Sequence, residues 1–322
     1  MYVTRVIPKP GVDLLREHFE VDVNETDEPL SNADLRRIAS QYSAMVSLLT
    51  DRIDRAVLEA GTGNLKIVAN VAVGFDNIDV PAATDNHVMA TNTPGVVTDT
   101  TADFAFTLMV SIARRVCEAD AFLRAGHYHG WGIMMLLGED IHRNTLGLAG
   151  FGRIGRAMAR RAAGFDMQVL FYDPIVQESD ETRALGVRKV DLETLLRESD
   201  FVSIHTPLTP ETTHLIGAEQ LRMMKSTAFL INTSRGPVVD ESALAGALRA
   251  QTIKGAALDV YENEPLVHSG LLEMDNVILA PHIASASVAT RTRMAVMAAE
   301  NVIAALSGGR PPALLNPEVL NS

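Results

Sequence analysis

Cysteine is almost missing from the 322-residue sequence, where Cys117 stands alone. One thiol closes no internal disulfide and supplies too few ligands for a cysteine-rich zinc site, so neither can hold this chain together. Set in a helical stretch, Cys117 reads as a small buried hydrophobe. Positive charge is also scarce: 28 Lys and Arg face 40 Asp and Glu, for a net charge of −12. Binding to nucleic acid or to an anionic membrane depends on dense positive charge and is not expected here. An anionic substrate would need a local cationic site instead. Long apolar runs are lacking as well. The longest, such as 104–113, fall short of a bilayer's width, and no basic-plus-apolar leader opens the sequence. A reducing cytoplasm fits these shortages. The remaining composition is that of a globular protein, 47% hydrophobic and 21% charged, at a length that predicts two compact units.

Strand and helix patterns alternate from the start. Short β-branched or apolar runs at 2–7, 20–23, 44–49, 65–70 and 87–90 are separated by helical patterns at 11–18, 32–41, 54–60 and 80–85. Such alternation predicts a parallel sheet covered by helices on both faces. After the loop chemistry of Asn92-Thr-Pro-Gly95, a long helical run extends from Thr98 to about Ala121, with Thr98 or Asp99 suited to cap it. Strands are expected again at 187–190, 201–205, 228–232, 255–260 and 277–280, and a last helix over 286–306. The glycine-centred unit then occupies 98–285. Residues 286–322 are too few for a domain and are expected to rejoin 1–97, which makes that domain discontinuous.

The chain is organised around Gly150-Phe-Gly152-Arg-Ile-Gly155. Gly150 permits a tight turn off the apolar run 146–149, Gly152 lets backbone approach a pyrophosphate, and Gly155 lets helix and strand pack closely. The helix over 153–163 would direct its free N–H groups at the phosphates. A second strand, 167–172, ends in Asp173, where a carboxylate can accept hydrogen bonds from an adenosine ribose. That carboxylate would repel the extra phosphate of NADP, and Pro174, Ile175 and Val176 offer no Arg to receive it, so NAD is favoured and NADP disfavoured.

Ligands of doubly wound sheets bind beyond the carboxyl ends of the strands. Three such loops carry reactive groups. Arg235, in Asn232-Thr-Ser-Arg-Gly236, can grip a carboxylate with paired hydrogen bonds and polarise a neighbouring carbonyl. Glu264 lies in Asp259-Val-Tyr-Glu-Asn-Glu-Pro265 and His282 in Pro281-His-Ile-Ala-Ser285. A carboxylate beside a histidine favours the charged ring, which suits a group that gives and takes a proton near neutral pH. A turn acid and a satisfied core histidine remain the alternatives for these two residues. His205 reads as a strand-end residue near the cofactor and His214 as loop structure. His127 and His129 suggest a metal only weakly, because no third ligand is spaced to join them, and no metal is expected. The apolar 133–137 beside them is a candidate partner surface.

Taken together, these loops resemble the D-isomer-specific 2-hydroxyacid dehydrogenase family along essentially the whole chain, with His205-Thr-Pro-Leu208 as a further matching signature. Within that family, 70–79 and 91–106 look most like glyoxylate and hydroxypyruvate reductases. The resemblance implies an α/β protein with a Rossmann-type doubly wound parallel sheet and a second, flavodoxin-like domain. It implies reduction of a small 2-oxo acid with NADH, with Arg235 binding substrate, His282 as acid/base and also in contact with cofactor and substrate, and Glu264 orienting His282. By the same resemblance Val73 and Gly74 hold the substrate carboxylate through backbone N–H groups. Thr101, Arg153, Ile154, Thr206, Pro207, Thr233, Ser234 and Asp259 join the three glycines and Asp173 around the cofactor, with Asp259 near the nicotinamide amide. Ala284 departs from the Gly that many members carry. The family also implies a homodimer through the nucleotide domain, reached by the 131–137 loop. Other readings are a dehydrogenase for another small anion (D-lactate-type, phosphoglycerate, formate or phosphite) and an NAD-sensing corepressor. For phosphoglycerate enzymes a regulatory extension would be expected beyond Ser322.

Overall fold

The computed structural model describes residues 1–321. The chain divides into two compact units, one of Met1–Val97 with Ala286–Ser322 and the other Thr98–Ser285.

The first unit is a five-stranded parallel sheet. Its strands are β1 (Tyr2–Val3), β2 (Asp22–Val23), β3 (Ala44–Ser47), β4 (Ile67–Asn70) and β5 (Met89–Thr91), in the order β2-β1-β3-β4-β5. That is the flavodoxin-like order, with its reversal between β1 and β3. The strands are shorter than the apolar runs that announce them. After Val3, for instance, Thr4 gives its hydroxyl to Asp51 at 2.5 Å and the chain leaves the sheet. β3 and β4 are buried at every position because both faces are covered. Ile67 and Ala69 face one apolar cluster and Val68 the other. Three helices begin on side-chain caps: Ser31 for α2 (Asn32–Gln41), Asp54 for α3 (Arg55–Ala60) and Asp79 for α4 (Val80–Asp85). The C-terminal helix α13 (Val288–Leu306) returns to this core through Ala295, Ala298, Ala299 and Val302. It lies so close to α1 (Lys9–Arg16) that a Cβ on Gly11 would stand 2.7 Å from Ala295 Cβ.

The second unit is a seven-stranded parallel sheet. β6 (Thr145–Ala149), β7 (Gln168–Tyr172), β8 (Val187–Lys189), β9 (Phe201–Ile204), β10 (Phe229–Asn232), β11 (Gly255–Leu258) and β12 (Val277–Leu279) lie in the order β12-β11-β10-β9-β6-β7-β8. The order reverses between β6 and β9, the doubly wound arrangement whose crevice accepts a dinucleotide. α7 (Arg153–Ala163) follows β6 directly, and α9 (Leu192–Glu198), α10 (Ala218–Met223) and α11 (Glu241–Arg249) connect the later strands. Two short helices, α8 (Asp180–Ala184) and α12 (Ser269–Leu272), run less than two turns and leave no periodicity to read.

The helical run expected to about Ala121 is not continuous. It breaks into α5 (Thr98–Ala113) and α6 (Val116–Arg124), with Arg115 between them at φ 54°. The break is held by tertiary contacts: Arg115 pairs with Glu118 at 2.6 Å and donates to the Leu137 carbonyl at 3.2 Å, while Glu139 N–H takes the Ala113 carbonyl at 2.8 Å. Thr98 is the first residue of α5 rather than its cap. Cys117 is exposed, against the expectation of a buried hydrophobe, because α6 buries none of its residues. Among the described residues no helix is long and apolar enough to cross a membrane.

Candidate active site

The glycine turn after β6 shows what each glycine is for. Gly150 sits at φ 98°, and a Cβ there would meet the His205 backbone at 2.6 Å. A Cβ on Gly155 would lie 2.4 Å from the Gly150 carbonyl, so strand and helix could not approach. Above Gly152, by contrast, nothing lies within 4 Å of the Cβ position. Gly152 caps α7 without a side-chain hydrogen bond, so the helix start at Arg153 and Ile154 keeps free N–H groups and a positive dipole end beside that open space. Asp173, at the end of β7, accepts Phe151 N–H at 2.8 Å on Oδ2, and Ile175 and Val176 N–H at 2.9 Å each on Oδ1. Burial pushes its carboxyl up, but the three N–H donors, with Lys189 nearby, hold it below the usual carboxylate range.

The strand ends beside this turn carry unsatisfied hydroxyls. Thr206 and Thr233 are buried, and neither Oγ1 has a hydrogen-bond partner among the described residues. Buried polar atoms are normally paired, so two orphans at the ends of neighbouring strands mark a place for a polar ligand. The Pro207 carbonyl is taken by Thr212, Ser234 donates from N–H and Oγ to Asn232 Oδ1, and Thr101 is buried on α5. A cradle open only over Gly152, a helix start, a firmly ionised Asp173 and two waiting hydroxyls fit a dinucleotide.

The Glu264–His282 pair expected to carry acid/base chemistry lies in the same unit. Glu264 Oε2 bonds His282 Nδ1 at 2.8 Å, which leaves Nε2 for chemistry. Glu264 Oε1 accepts Tyr261 N–H at 3.1 Å. Burial pushes the Glu264 carboxyl up, yet the bond and charge of His282, Tyr261 N–H and the charge of Arg235 together hold it below its ordinary value. Arg235 is half-buried in extended backbone, and its Nη1 donates to the Ser234 carbonyl at 2.9 Å.

His282 itself sits at φ 54°, a costly conformation for a residue with a Cβ. Asp259 holds it there: Oδ1 accepts Ile283 N–H and Oδ2 accepts Ala284 N–H, both at 2.7 Å. Asp259 is fully buried, and burial pushes its carboxyl up despite those donors. Two further supports were not singled out in the sequence. Tyr261, its hydroxyl pushed up to about 12 by burial, donates at 2.8 Å to the Ala280 carbonyl, which also accepts His282 N–H at 3.1 Å. Buried Glu241 accepts N–H groups from Glu262 and His268 and so ties down the segment that presents Glu264. Neither is announced by its neighbours, since Glu241 stands between Asp240 and Ser242 at a helix start and Tyr261 between Val260 and Glu262.

The other histidines are placed apart from this pair. His205 bonds Ser203 Oγ at 2.9 Å, and burial pushes its imidazole down to about 3, so it is neutral. His214 bonds Glu262 at 2.7 Å. His127 and His129 are exposed in the loop after α6. In the other unit, Val73 and Gly74 lie in the loop after β4.

Residues 106–284 match the family model of the D-isomer-specific 2-hydroxyacid dehydrogenase, NAD-binding domain. The chain belongs to the D-isomer-specific 2-hydroxyacid dehydrogenase family. Its similarity to known members runs over nearly the whole length. It is 54% identical to the glyoxylate reductase of Korarchaeum cryptofilum, over 99% of this chain and 96% of that protein. The glyoxylate reductase structure from Paecilomyes thermophila matches at 30% identity and a TM-score of 0.87, covering 98% of each chain. An NADPH-dependent glyoxylate/hydroxypyruvate reductase from Sinorhizobium meliloti, solved with NADP and malonate, matches at 34% identity and a TM-score of 0.86, covering 98% of this chain and 95% of that one. As a D-2-hydroxyacid dehydrogenase, this protein is an oxidoreductase that uses a nicotinamide dinucleotide to reduce a small 2-oxo acid.

Proposed function

We propose that the protein reduces glyoxylate and hydroxypyruvate with NADH, giving glycolate and D-glycerate, with His282 as the acid/base residue. The observation that carries this reading is the Glu264–His282 pair, bonded through Nδ1 so that Nε2 is left to act on substrate. Bound NADH would supply the hydride. Arg235 would grip the substrate carboxylate and polarise the carbonyl, and Val73 and Gly74 would add backbone N–H groups to the carboxylate. His282 Nε2–H then protonates the carbonyl oxygen as it gains charge, and Glu264 stabilises the imidazolium before that transfer. Thr206, Thr233, Ser234, Pro207, Thr101, Arg153, Ile154 and Asp259 are assigned to the dinucleotide, in support of which Thr206 and Thr233 keep unsatisfied buried hydroxyls. Asp173, ionised and aimed by three backbone donors, supports NADH over NADPH.

The nucleotide-binding role is assigned to Thr98–Ser285 and the substrate role to Met1–Val97 with Ala286–Ser322. A homodimer through the nucleotide unit is supported by an exposed apolar arm, with Trp131, Ile133 and Met134 each more than 70% exposed. The free, exposed thiol of Cys117 fits a reducing compartment such as the cytoplasm. The test is NADH and NADPH oxidation against glyoxylate, hydroxypyruvate, pyruvate and phenylpyruvate. Highest kcat/KM with NADH and either of the first two supports the reading, and failure to turn over any of the four removes it.

A further inference from the structure

Three consecutive carbonyls in the loop after β4 are each held by a donor. Ala72 O accepts Thr93 N–H at 2.8 Å, Val73 O accepts Asn92 Nδ2 at 2.7 Å, and Gly74 O accepts Asn70 Nδ2 at 3.1 Å. A trans peptide points its N–H opposite to its C=O. The N–H groups of Val73, Gly74 and Phe75 are therefore turned away from these donors, and none of the three has an acceptor among the described residues. Phe75 is exposed and Val73 and Gly74 are half-buried, so the row lies near the surface. Adjacent free N–H groups of this kind attract an anion.

The central donor, Asn92, is itself clamped. It is buried, its N–H reaches the Ala313 carbonyl at 3.4 Å, and its own carbonyl accepts Asn301 Nδ2 at 3.2 Å. Asn301 Oδ1 accepts Ala313 N–H at 3.0 Å. Asn301 is fully buried on α13, one position before core residue Val302, where an amide is costly unless it is bonded. Its two bonds fix Asn92 and the chain beside it. Asn70 is braced in the same way, accepting Ser47 Oγ at 3.2 Å.

We propose that Asn92, clamped by Asn301, is a positioning residue for substrate recognition. By holding the Val73 carbonyl inward it sets the Val73–Gly74 peptide so that Gly74 N–H meets the carboxylate of the 2-oxo acid. This rests on the reading of Val73 and Gly74 as the carboxylate site. Without the Nδ2 donor the peptide is free to rotate, and a carbonyl oxygen replaces the N–H, turning attraction into repulsion. Substrate and its inert mimic oxamate lose affinity alike, while proton transfer at His282 is untouched.

Asn92→Asp keeps the shape and removes the donor, and Asn92→Ala removes the group. Both should raise KM for glyoxylate and Kd for oxamate by roughly tenfold or more, the loss of a bond to a charged ligand's binding group. kcat should stay within about twofold, and KM for NADH should not move, as expected for an interaction shared by ground and transition states. Asn316→Ala is the control for plain destabilisation, because Asn316 ties Ala90 N–H and the Val88 carbonyl and touches nothing in 72–75. It should lower the melting temperature and leave both constants unchanged. If Asn92→Asp lowers only the melting temperature, with native KM and oxamate affinity, the proposal is overturned. A crystal structure of the NADH–oxamate complex separates the two layers. Carboxylate on the Val73 and Gly74 amides with native affinity in Asn92→Asp overturns the brace alone, and carboxylate bound elsewhere overturns the site reading beneath it.

Discussion

After β12, His282 is held at φ 54° with its imidazole against Glu264, and the groups proposed to react belong to side chains. After β4, the loop 72–75 offers only backbone N–H groups, and the side chains around it, Asn92 and Asn70, face inward to hold carbonyls. Both loops end a parallel strand and both are braced by buried polar residues. In the first, Asp259 spends its two carboxylate oxygens on Ile283 and Ala284 N–H. In the second, two asparagine amides and Thr93 N–H take three carbonyls. Acid/base chemistry needs a titrating atom, which only a side chain supplies, whereas anion recognition needs only oriented dipoles.

The largest effect should come from removing the proposed proton donor. His282→Ala is expected to lower kcat by about two to four orders of magnitude, the usual worth of general acid/base catalysis, with NADH affinity nearly unchanged. Stopped-flow hydride transfer and fluorescence titration of NADH measure the two separately. Near-native turnover would remove the distinction between a side-chain loop and a backbone loop.

The next effect belongs to the dinucleotide. Asp173→Asn should shift the ratio of kcat/KM for NADH over NADPH by about tenfold toward NADPH, the free energy of roughly one pKa unit of charge repulsion. An unchanged ratio would mean that the three backbone donors on Asp173, rather than its charge toward ribose, are its whole role.

Glu264→Gln sharpens the comparison within the side-chain loop. The amide still meets Nδ1 but brings no negative charge to the ring as it takes up or gives a proton. Turnover at neutral pH should fall on the order of tenfold. The carboxyl lies below its ordinary value, because the pull of His282, Tyr261 N–H and Arg235 exceeds the push of burial, and it is ionised at neutral pH. Native turnover in Glu264→Gln would assign Glu264 to loop structure only.

The two loops also differ in how much of them a sequence can announce. The fold is legible because Gly150, Gly152 and Gly155 have spacing with a steric meaning, and because strand and helix alternate around them. Arg235, Glu264 and His282 stand out by chemical type at strand ends. The brace of the other loop does not. Asn92 precedes Thr93-Pro-Gly95, where Asn ordinarily bonds its own backbone in a turn, so a bond to Val73, 19 positions back, leaves no local trace. Asn301 is one polar residue in an apolar helix, and its partners are 209 and 12 positions away. The break at Arg115 was hidden for a similar reason: Arg is a good helix former, and only the return of 137–139 to the helix end requires the turn. Cys117 shows a third limit, since helical periodicity in α6 does not say that the helix buries no face at all.

The smallest effect concerns His205, which lies at a strand end like His282 but bonds a serine rather than a carboxylate. Burial pushes its imidazole down to about 3, against an ordinary value of 6.5. The unfolded chain therefore takes up a proton that the folded chain refuses throughout this interval. The stability that His205 leaves intact above pH 6.5 is lost as pH falls below that value, by at most about 1.4 kcal/mol per pH unit, and the loss levels off near pH 3. His205→Gln, which keeps a polar group for Ser203 and cannot titrate, should unfold with a shallower acid-side slope. Urea midpoints of both proteins at pH 7.5, 6 and 5 measure the difference, and parallel curves would mean that the imidazole is reached by water and charges in place. Such a result would also narrow the contrast with His282, because a ring able to charge freely at the end of β9 would be a second candidate proton donor on the same sheet.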